Sequence, residues 1–327
     1  LKTVTVAFGM RGVGRRAPLR AVDRVSLEVA RGEIVGIVGE SGSGKSTLAR
    51  LIVGLLAPAE GEIIFGGAAL SSARRPAGLR RRIQMVFQDP FSSLDPRMSV
   101  GQQLAEILRV HAIVPRRRTE EACRALLVQV HLPPELMDAR PRQMSGGQRQ
   151  RVAIARSLAV RPELLVADEP VSALDVSVQA GIIHLFAELR STLGLTLLFI
   201  AHDLAVVRHL CDRIAVMYMG RIVESGATEA IFRAPRHPYT RALLTAIPRL
   251  RPTEAAREAS PIGEPPSFIR PPCGCRFRSR CPLAFGLCEH TEPELVAFPD
   301  SGHAAACHLA AAETVLSAVT SRAGQSS

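Results

Sequence analysis

The stretch Gly39-Glu40-Ser41-Gly42-Ser43-Gly44-Lys45-Ser46-Thr47 constrains this chain more than any other. It follows the pattern G-x-x-x-x-G-K-[ST] and lies between a compact apolar run, Ile34 to Val38, and a helical pattern. In the helical pattern Leu48, Leu51, Ile52 and Leu55 share one face, which ends before Pro58. Strand, glycine loop and helix in that order make an anion cradle: glycines let successive N–H groups turn inward, and the helix N-terminus adds a favourable dipole. Lys45 supplies a compact charge for β- and γ-phosphates, where arginine's wide planar fork would fit poorly. The chain has only two lysines, Lys2 and Lys45, and otherwise uses arginine, so the lysine here stands out. Ser46 is the expected Mg²⁺ ligand.

A second segment supplies carboxylates. Leu164 to Ala167 reads as a buried strand that ends in Asp168 and Glu169, and the carboxyl edge of a parallel sheet is where such folds present reactive groups. Asp168 is expected to hold Mg²⁺ directly or through water, and Glu169 to polarise the attacking water as general base. Taken alone, an Asp-Glu pair after apolar residues is more often a strand meeting solvent; the glycine loop raises its weight. Ser145-Gly146-Gly147-Gln148 opens a helix whose face carries Val152, Ala155 and Leu158, a second place where an anion fits a helix N-terminus.

These parts resemble the ABC ATPase family of P-loop NTPases. SGGQ is that family's own motif, preceded here by Met144 where leucine or phenylalanine is usual. The resemblance covers about residues 4 to 245, with the parts in the family's order. It implies that Gly39 to Thr47 is the Walker loop that binds ATP. Gln88 is then the glutamine that reaches metal and attacking water, and His202 the switch histidine at the γ-phosphate. Ser172-Ala173-Leu174-Asp175 matches the loop that crosses the dimer interface, and Phe8 the aromatic that stacks on adenine. A strand phenylalanine serves core packing equally well. In this family ATP is gripped between the Walker loop of one domain and the SGGQ of another, so a single copy implies a partner chain.

The fold expected is α/β: a P-loop NTPase with an antiparallel β subdomain from Thr3 to Val29, an inserted helical subdomain at about 90–144, and a small Cys-containing C-terminal region. Short apolar runs at Leu164 to Ala167 and Thr196 to Ala201 alternate with helical segments, as in a parallel sheet with crossover helices. A hairpin is expected across Gly220. The nucleotide-binding domain is expected to span 1–240, the C-terminal region 241–310, and a loosely ordered tail 311–327. At 327 residues and 47% hydrophobic content the chain can bury one large core and a smaller one.

Several segments look specifically like the oligopeptide/dipeptide (and nickel) importer branch: GESGSGKSTLAR, Val86-Phe87-Gln88-Asp89-Pro90, Ala201-His202-Asp203-Leu204 and His237-Pro238-Tyr239-Thr240. Ser46 to Arg50 and Ser93 to Met98 resemble the second, "F", type of ATPase in that branch. The resemblance implies a paralogous D-type ATPase partner, two membrane permease subunits and, indirectly, an extracytoplasmic substrate-binding protein, with this chain peripheral on the cytoplasmic face of the inner membrane. Cys275, Cys281, Cys288 and Cys307 form C-x5-C-x6-C-x18-C. This matches a region in which the branch carries a [4Fe–4S] cluster in some members, while zinc or no metal stays open. Cys123 and Cys211 lie in apolar helical surroundings and read as core thiols.

A net charge of +11 is compatible with nucleic acid, with an anionic membrane surface or with a solvated basic face. A soluble ABC ATPase acting on DNA or ribosomes usually joins two such domains in one chain or splits the domain with a coiled coil, and neither pattern is present, so no nucleic-acid partner is expected. A redox-sensing module has only the cysteines in its favour. No apolar run approaches the roughly 18 residues of a bilayer span. The start of the chain lacks a basic segment followed by an apolar one, so secretion is not expected.

Overall fold

The computed structural model of the protein describes residues 1–8, 18–70, 76–89, 93–247, 263–264, 266–298 and 302–312. The loop after Phe8, Pro90 to Ser92 of the expected helical subdomain, and the tail beyond residue 312 lie outside the described residues.

Strands β1 (Lys2–Phe8) and β2 (Leu19–Val25) pair antiparallel, with Phe8 opposite Leu19. The fully buried β3 (Ile34–Val38) follows and feeds the glycine loop and helix Lys45–Val53. Next come β4 (Glu60–Glu62), β5 (Ile64–Phe65), β6 (Ala68–Ala69) and β7 (Ile83–Val86). The remaining strands are β8 (Leu164–Asp168), β9 (Thr196–Ala201), β10 (Arg213–Tyr218), β11 (Arg221–Ala227), β12 (Val296–Phe298) and β13 (His303–Ala305).

Eight of these form one sheet in the order β12-β13-β11-β10-β3-β9-β8-β7. It is parallel from β10 through β3, β9 and β8 to β7, and antiparallel across β10, β11, β13 and β12. The hairpin turns at Gly220, whose φ of 81° only glycine adopts cheaply. A smaller three-stranded sheet, β2-β1-β4, makes the β subdomain.

Period-two alternation sorts the central strands between two cores. Val35 and Ile37 of β3, Leu198 and Ile200 of β9 and Met217 of β10 face helix Lys45–Val53 and the β subdomain, where they meet Leu48, Leu51, Val4 and Val22. Ile34, Val38, Phe199 and Val216 face the other way, onto helix Val176–Leu193 and the inserted helices. Each fully buried leucine there contributes roughly 2 kcal/mol of apolar transfer. The inserted part holds helices Val100–Val110 and Thr119–Gln129, with Leu104, Leu108 and Leu127 buried together. Ser99 opens the first of them in a reciprocal cap with Gln102. Cys123 and Cys211 are buried.

Helix Pro238–Thr245 runs through the position at which a domain boundary was expected, near residue 240, and its Tyr239 is fully buried in the main core. Phe277 from the cysteine region packs edge-on to Tyr218 at 5.3 Å and against Tyr239 at 5.4 Å. Strand β13 then pairs with β11, Glu224 opposite Ala305, so the C-terminal region extends the main sheet. Among the described residues no helix is long and apolar enough to cross a membrane.

Candidate nucleotide-binding site

The loop after β3 has no room for side chains at two of its glycines. A Cβ on Gly39 would lie 2.1 Å from the Met217 carbonyl oxygen, and one on Gly44 would lie 2.2 Å from that of Ala21, where the backbone also has φ of 106°. The loop is thus pressed onto β10 and β2, with its curvature set before any ligand arrives. Lys45 is only 4% exposed and reaches back across the loop, its Nζ donating to the carbonyls of Gly39 at 2.7 Å and Glu40 at 2.9 Å. Burial lowers its pKa, against the pull of Glu169 and Asp168. Ser43 Oγ is buried in the loop without a hydrogen-bond partner among the described residues, a donor that a phosphate oxygen would satisfy.

Behind the loop, Ser46 Oγ donates to Asp168 Oδ1 at 3.0 Å. Burial raises the Asp168 pKa, with the Ser46 hydroxyl opposing it. A hydroxyl and a buried carboxylate side by side are the hard oxygen donors that suit Mg²⁺, so the residues fit that ion. Glu169 follows with a left-handed φ of 46°, uncommon for a residue with a side chain. Its N–H donates to the Ile200 carbonyl, and its own carbonyl accepts from the Ser172 hydroxyl and N–H. The Glu169 carboxylate accepts from Gln88 Nε2 at 3.0 Å and lies 3.6 Å from Lys45 Nζ and 3.9 Å from His202 Nδ1. Lys45, Ser46, Gln88, Asp168, Glu169 and His202, far apart in sequence, therefore converge at the carboxyl edge of β3, β7, β8 and β9.

A cavity of about 280 Å³ opens over the loop, lined by Ser41, Gly42, Gly44 to Thr47, Gln88 and Glu169. Ser145, Gly146, Gly147 and Gln148 are not among its lining residues. They start helix Gly146–Leu158, where Ser145 and Gln148 cap each other's backbone N–H groups. Asp175 caps nothing and is exposed at the start of helix Val176–Leu193. Phe8 stands at the end of β1, 42% exposed. A larger cavity of about 620 Å³ lies elsewhere, beneath the β subdomain, and none of the loop residues lines it.

Some residues at the site were not read as site residues from the sequence, Tyr239 standing there only in a segment that marks the branch. Tyr239 Oη accepts the Glu40 N–H at 2.8 Å. Arg280 grips the Glu40 carboxylate with two N–H donors, at 2.8 and 2.9 Å. Phe268 lines the cavity. All three come from beyond residue 238 and reach the loop only through the tertiary fold.

The placement of the cysteines gives no support to the expected cluster. Burial, with Cys288, Cys281 and Cys307 adding to it, pushes the Cys275 thiol up to about 11, and burial also raises Cys281 and Cys307. The mutual effects of Cys275, Cys281, Cys288 and Cys307 place the four thiols near one another. Among the described residues no group of three or more His, Cys, Asp or Glu side chains is arranged to hold a metal ion. The thiols as placed do not form an array that fits a [4Fe–4S] cluster, and no step of the mechanism runs through one.

Residues 22–172 match the ABC transporter family, and residues 223–288 match the oligopeptide/dipeptide transporter C-terminal region. A peptide import ATP-binding protein of Brucella ovis is 48% identical over 300 residues, 90% of this chain and 95% of that protein. A peptide ABC transporter ATP-binding protein of Sinorhizobium fredii is 49% identical over 295 residues, 90% of this chain and 83% of that protein. Among solved structures, the dimeric ATP-binding cassette MJ0796 in a post-hydrolysis state with ADP and Pi is 30% identical. It superposes with a TM-score of 0.60, covering 69% of this chain and 97% of that one. The cassette cbiO1 of Clostridium perfringens, part of a cbiONQ transporter complex, is 28% identical at the same TM-score, covering 72% and 94%. Relatives this similar along nearly their whole length, with a second match falling on the C-terminal region, make this chain a member of the ABC transporter ATP-binding family and an ATPase of its oligopeptide/dipeptide branch.

Proposed function

We propose that this chain hydrolyses ATP to power import of di- and oligopeptides, as the ATP-binding subunit of a transporter whose permease subunits lie in the cytoplasmic membrane. The observation that carries the reading is the Glu169 carboxylate, held within reach of Gln88, Lys45 and His202 at the rim of a glycine loop. Lys45 leaves its two carbonyl contacts for the β- and γ-phosphates, and the loop's N–H groups with Ser43 cradle the rest. Ser46 and Asp168, with Gln88 at hand, would hold Mg²⁺, which supplies charge neutralisation at the phosphates when bound. Glu169 accepts a proton from the attacking water, Gln88 orients that water, and His202 donates to the γ-phosphate.

Ser145, Gly146, Gly147, Gln148 and Asp175 are assigned to the facing subunit's nucleotide, which is why they stand apart from this chain's own cavity. The partner is taken to be a paralogous D-type ATPase, with two permeases and an extracytoplasmic binding protein completing the assembly on the membrane. Nucleotide closes the ATPase pair, and the charge released on hydrolysis opens it. Support for peptide as cargo comes from the Brucella and Sinorhizobium relatives and from the C-terminal match.

The test is Glu169→Gln in a reconstituted transporter. Turnover is expected to fall at least about 100-fold, the usual share of a general base, with ATP still bound and the two ATPase subunits more tightly associated. Wild-type turnover, or subunits no more associated with ATP than without, overturns the proposal. A fully active transporter assembled from this ATPase alone overturns the D-type pairing.

A further inference from the structure

The cavity over the Walker loop has a chemically divided wall. Part is hydroxyls, glycine backbone, the Gln88 amide and the charged pair Lys45 and Glu169; the rest is Leu19, Ala21 and Phe268. A nucleoside triphosphate is divided the same way, anionic at one end and a flat, weakly solvated base at the other. Once the phosphates sit on the loop, the apolar wall is what remains for the base or its ribose. Phe268 is the one aromatic ring among the described lining residues, and Phe8, the ring expected there, is absent from the wall.

Two clamps hold the segment that carries Phe268. Arg280 grips Glu40, a residue of the loop itself. Arg276 binds Asp23 of β2, the strand that also contributes Leu19 and Ala21. Arg221 reinforces that contact at 3.0 Å, and although burial alone would raise the Asp23 carboxyl, the two guanidiniums hold it low. The C-terminal region is therefore fastened to both elements that frame the cavity, and Phe268 packs against the main core.

We infer that Phe268 is a nucleotide-binding residue: its ring contacts the base or ribose of ATP in the same chain, so the C-terminal region completes the ATP site. The inference rests on the ATPase reading above, which a control separates from it.

Equilibrium binding of MgATP and of inorganic tripolyphosphate to the full-length chain tests it. Phe268→Ala is expected to weaken ATP binding about tenfold, the factor typical of one aromatic–base contact, and to leave tripolyphosphate binding unchanged. Phe268→Tyr, which keeps the ring, is expected to bind ATP as the parent does. Should the alanine variant not fold, Phe268→Leu keeps the apolar contact with the core, lacks the ring and is expected to lose ATP affinity alone.

Four results overturn the inference: unchanged ATP affinity without the ring, tighter ATP binding that marks the ring as a plug, equal loss of both ligands, or a tyrosine variant as weak as alanine. Lys45→Ala is the control. It should lose both ligands, and if it loses neither, the ATPase reading fails rather than the role of Phe268.

Discussion

His237 is 2% exposed, and its Nδ1 accepts the Tyr239 N–H at 3.0 Å, capping helix Pro238–Thr245. Protonation would bury a charge and remove that acceptor together. Burial, with Arg241 adding and the Glu224 carboxylate opposing, holds its pKa down to about 4 from an ordinary 6.5. The unfolded chain therefore takes up this proton first. Stability from this group is complete above pH 6.5 and is lost as pH falls from there to about 4. The gap corresponds to on the order of 3 kcal/mol at ~1.4 kcal/mol per unit. His237→Asn keeps a capping acceptor and cannot titrate, so its urea midpoint should fall less than the parent's between pH 7 and pH 4.5. Equal acid sensitivity in both would sink the argument. Glu224 acts in a lower window: hydrogen bonds from His303 and from the Arg236 and His237 backbone N–H groups overcome its burial and hold it below its ordinary 4.5.

His237 and Tyr239 stood in a segment that marks the branch, but their contacts were not legible, because Glu224 and His303 are brought to them only by the fold. The placing of Lys45 and Ser46 was legible for the opposite reason, since it follows from a short loop's covalent order, and that of Asp168 because it ends a buried apolar strand. Between these extremes lies Glu169. Its identity could be read, but its left-handed backbone depends on contacts with Ile200 and Ser172.

At the scale of elements, the two glycines of SGGQ look interchangeable in sequence and are not. A Cβ on Gly146 would meet Leu174 Cδ2 at 3.3 Å, a contact that a mobile leucine end can relieve. On Gly147 it would lie 2.5 Å from Cγ1 of Val178, a β-branched side chain on helix Val176–Leu193 with one preferred rotamer. Gly147→Ala is expected to cost about 1–3 kcal/mol of stability by overpacking. Gly146→Ala should cost clearly less, and Val178→Ala should rescue most of the Gly147→Ala loss in a double-mutant cycle. Additive losses would mean that the two helices do not meet there as described. Unbroken apolar runs in β3 and β9 announced buried strands because both faces of a central sheet need apolar residues. Strands β12 and β13, three residues each, are too short to show a period, and only their pairing beside β11 defines them.

The whole molecule turns on how the C-terminal region is joined to the rest. Its change in composition marks a boundary in sequence, yet β13 extends the main sheet and Phe277 sits with Tyr218 and Tyr239 in the main core. The Arg280–Glu40 pair spans the same junction, with Arg280 only 6% exposed and Glu40 28% exposed. The Glu40 carboxylate, which accepts both of its hydrogen bonds, raises the Arg280 pKa further above its already high ordinary value. Arg280→Met keeps much of the length and apolar stem but leaves Glu40 half-buried without its counter-charge. Breaking such a pair from one side costs about 3 kcal/mol, the low end of the usual range, because Glu40 retains some contact with water. Pairing the change with Glu40→Gln should recover part of the loss, since no unpaired charge then remains. Because sheet and core are continuous across the junction, denaturant unfolding of Arg280→Met should stay a single transition at a lower midpoint, with ATP binding lost in step. An early separate transition that spares ATP binding would show instead that the C-terminal region folds as a unit of its own.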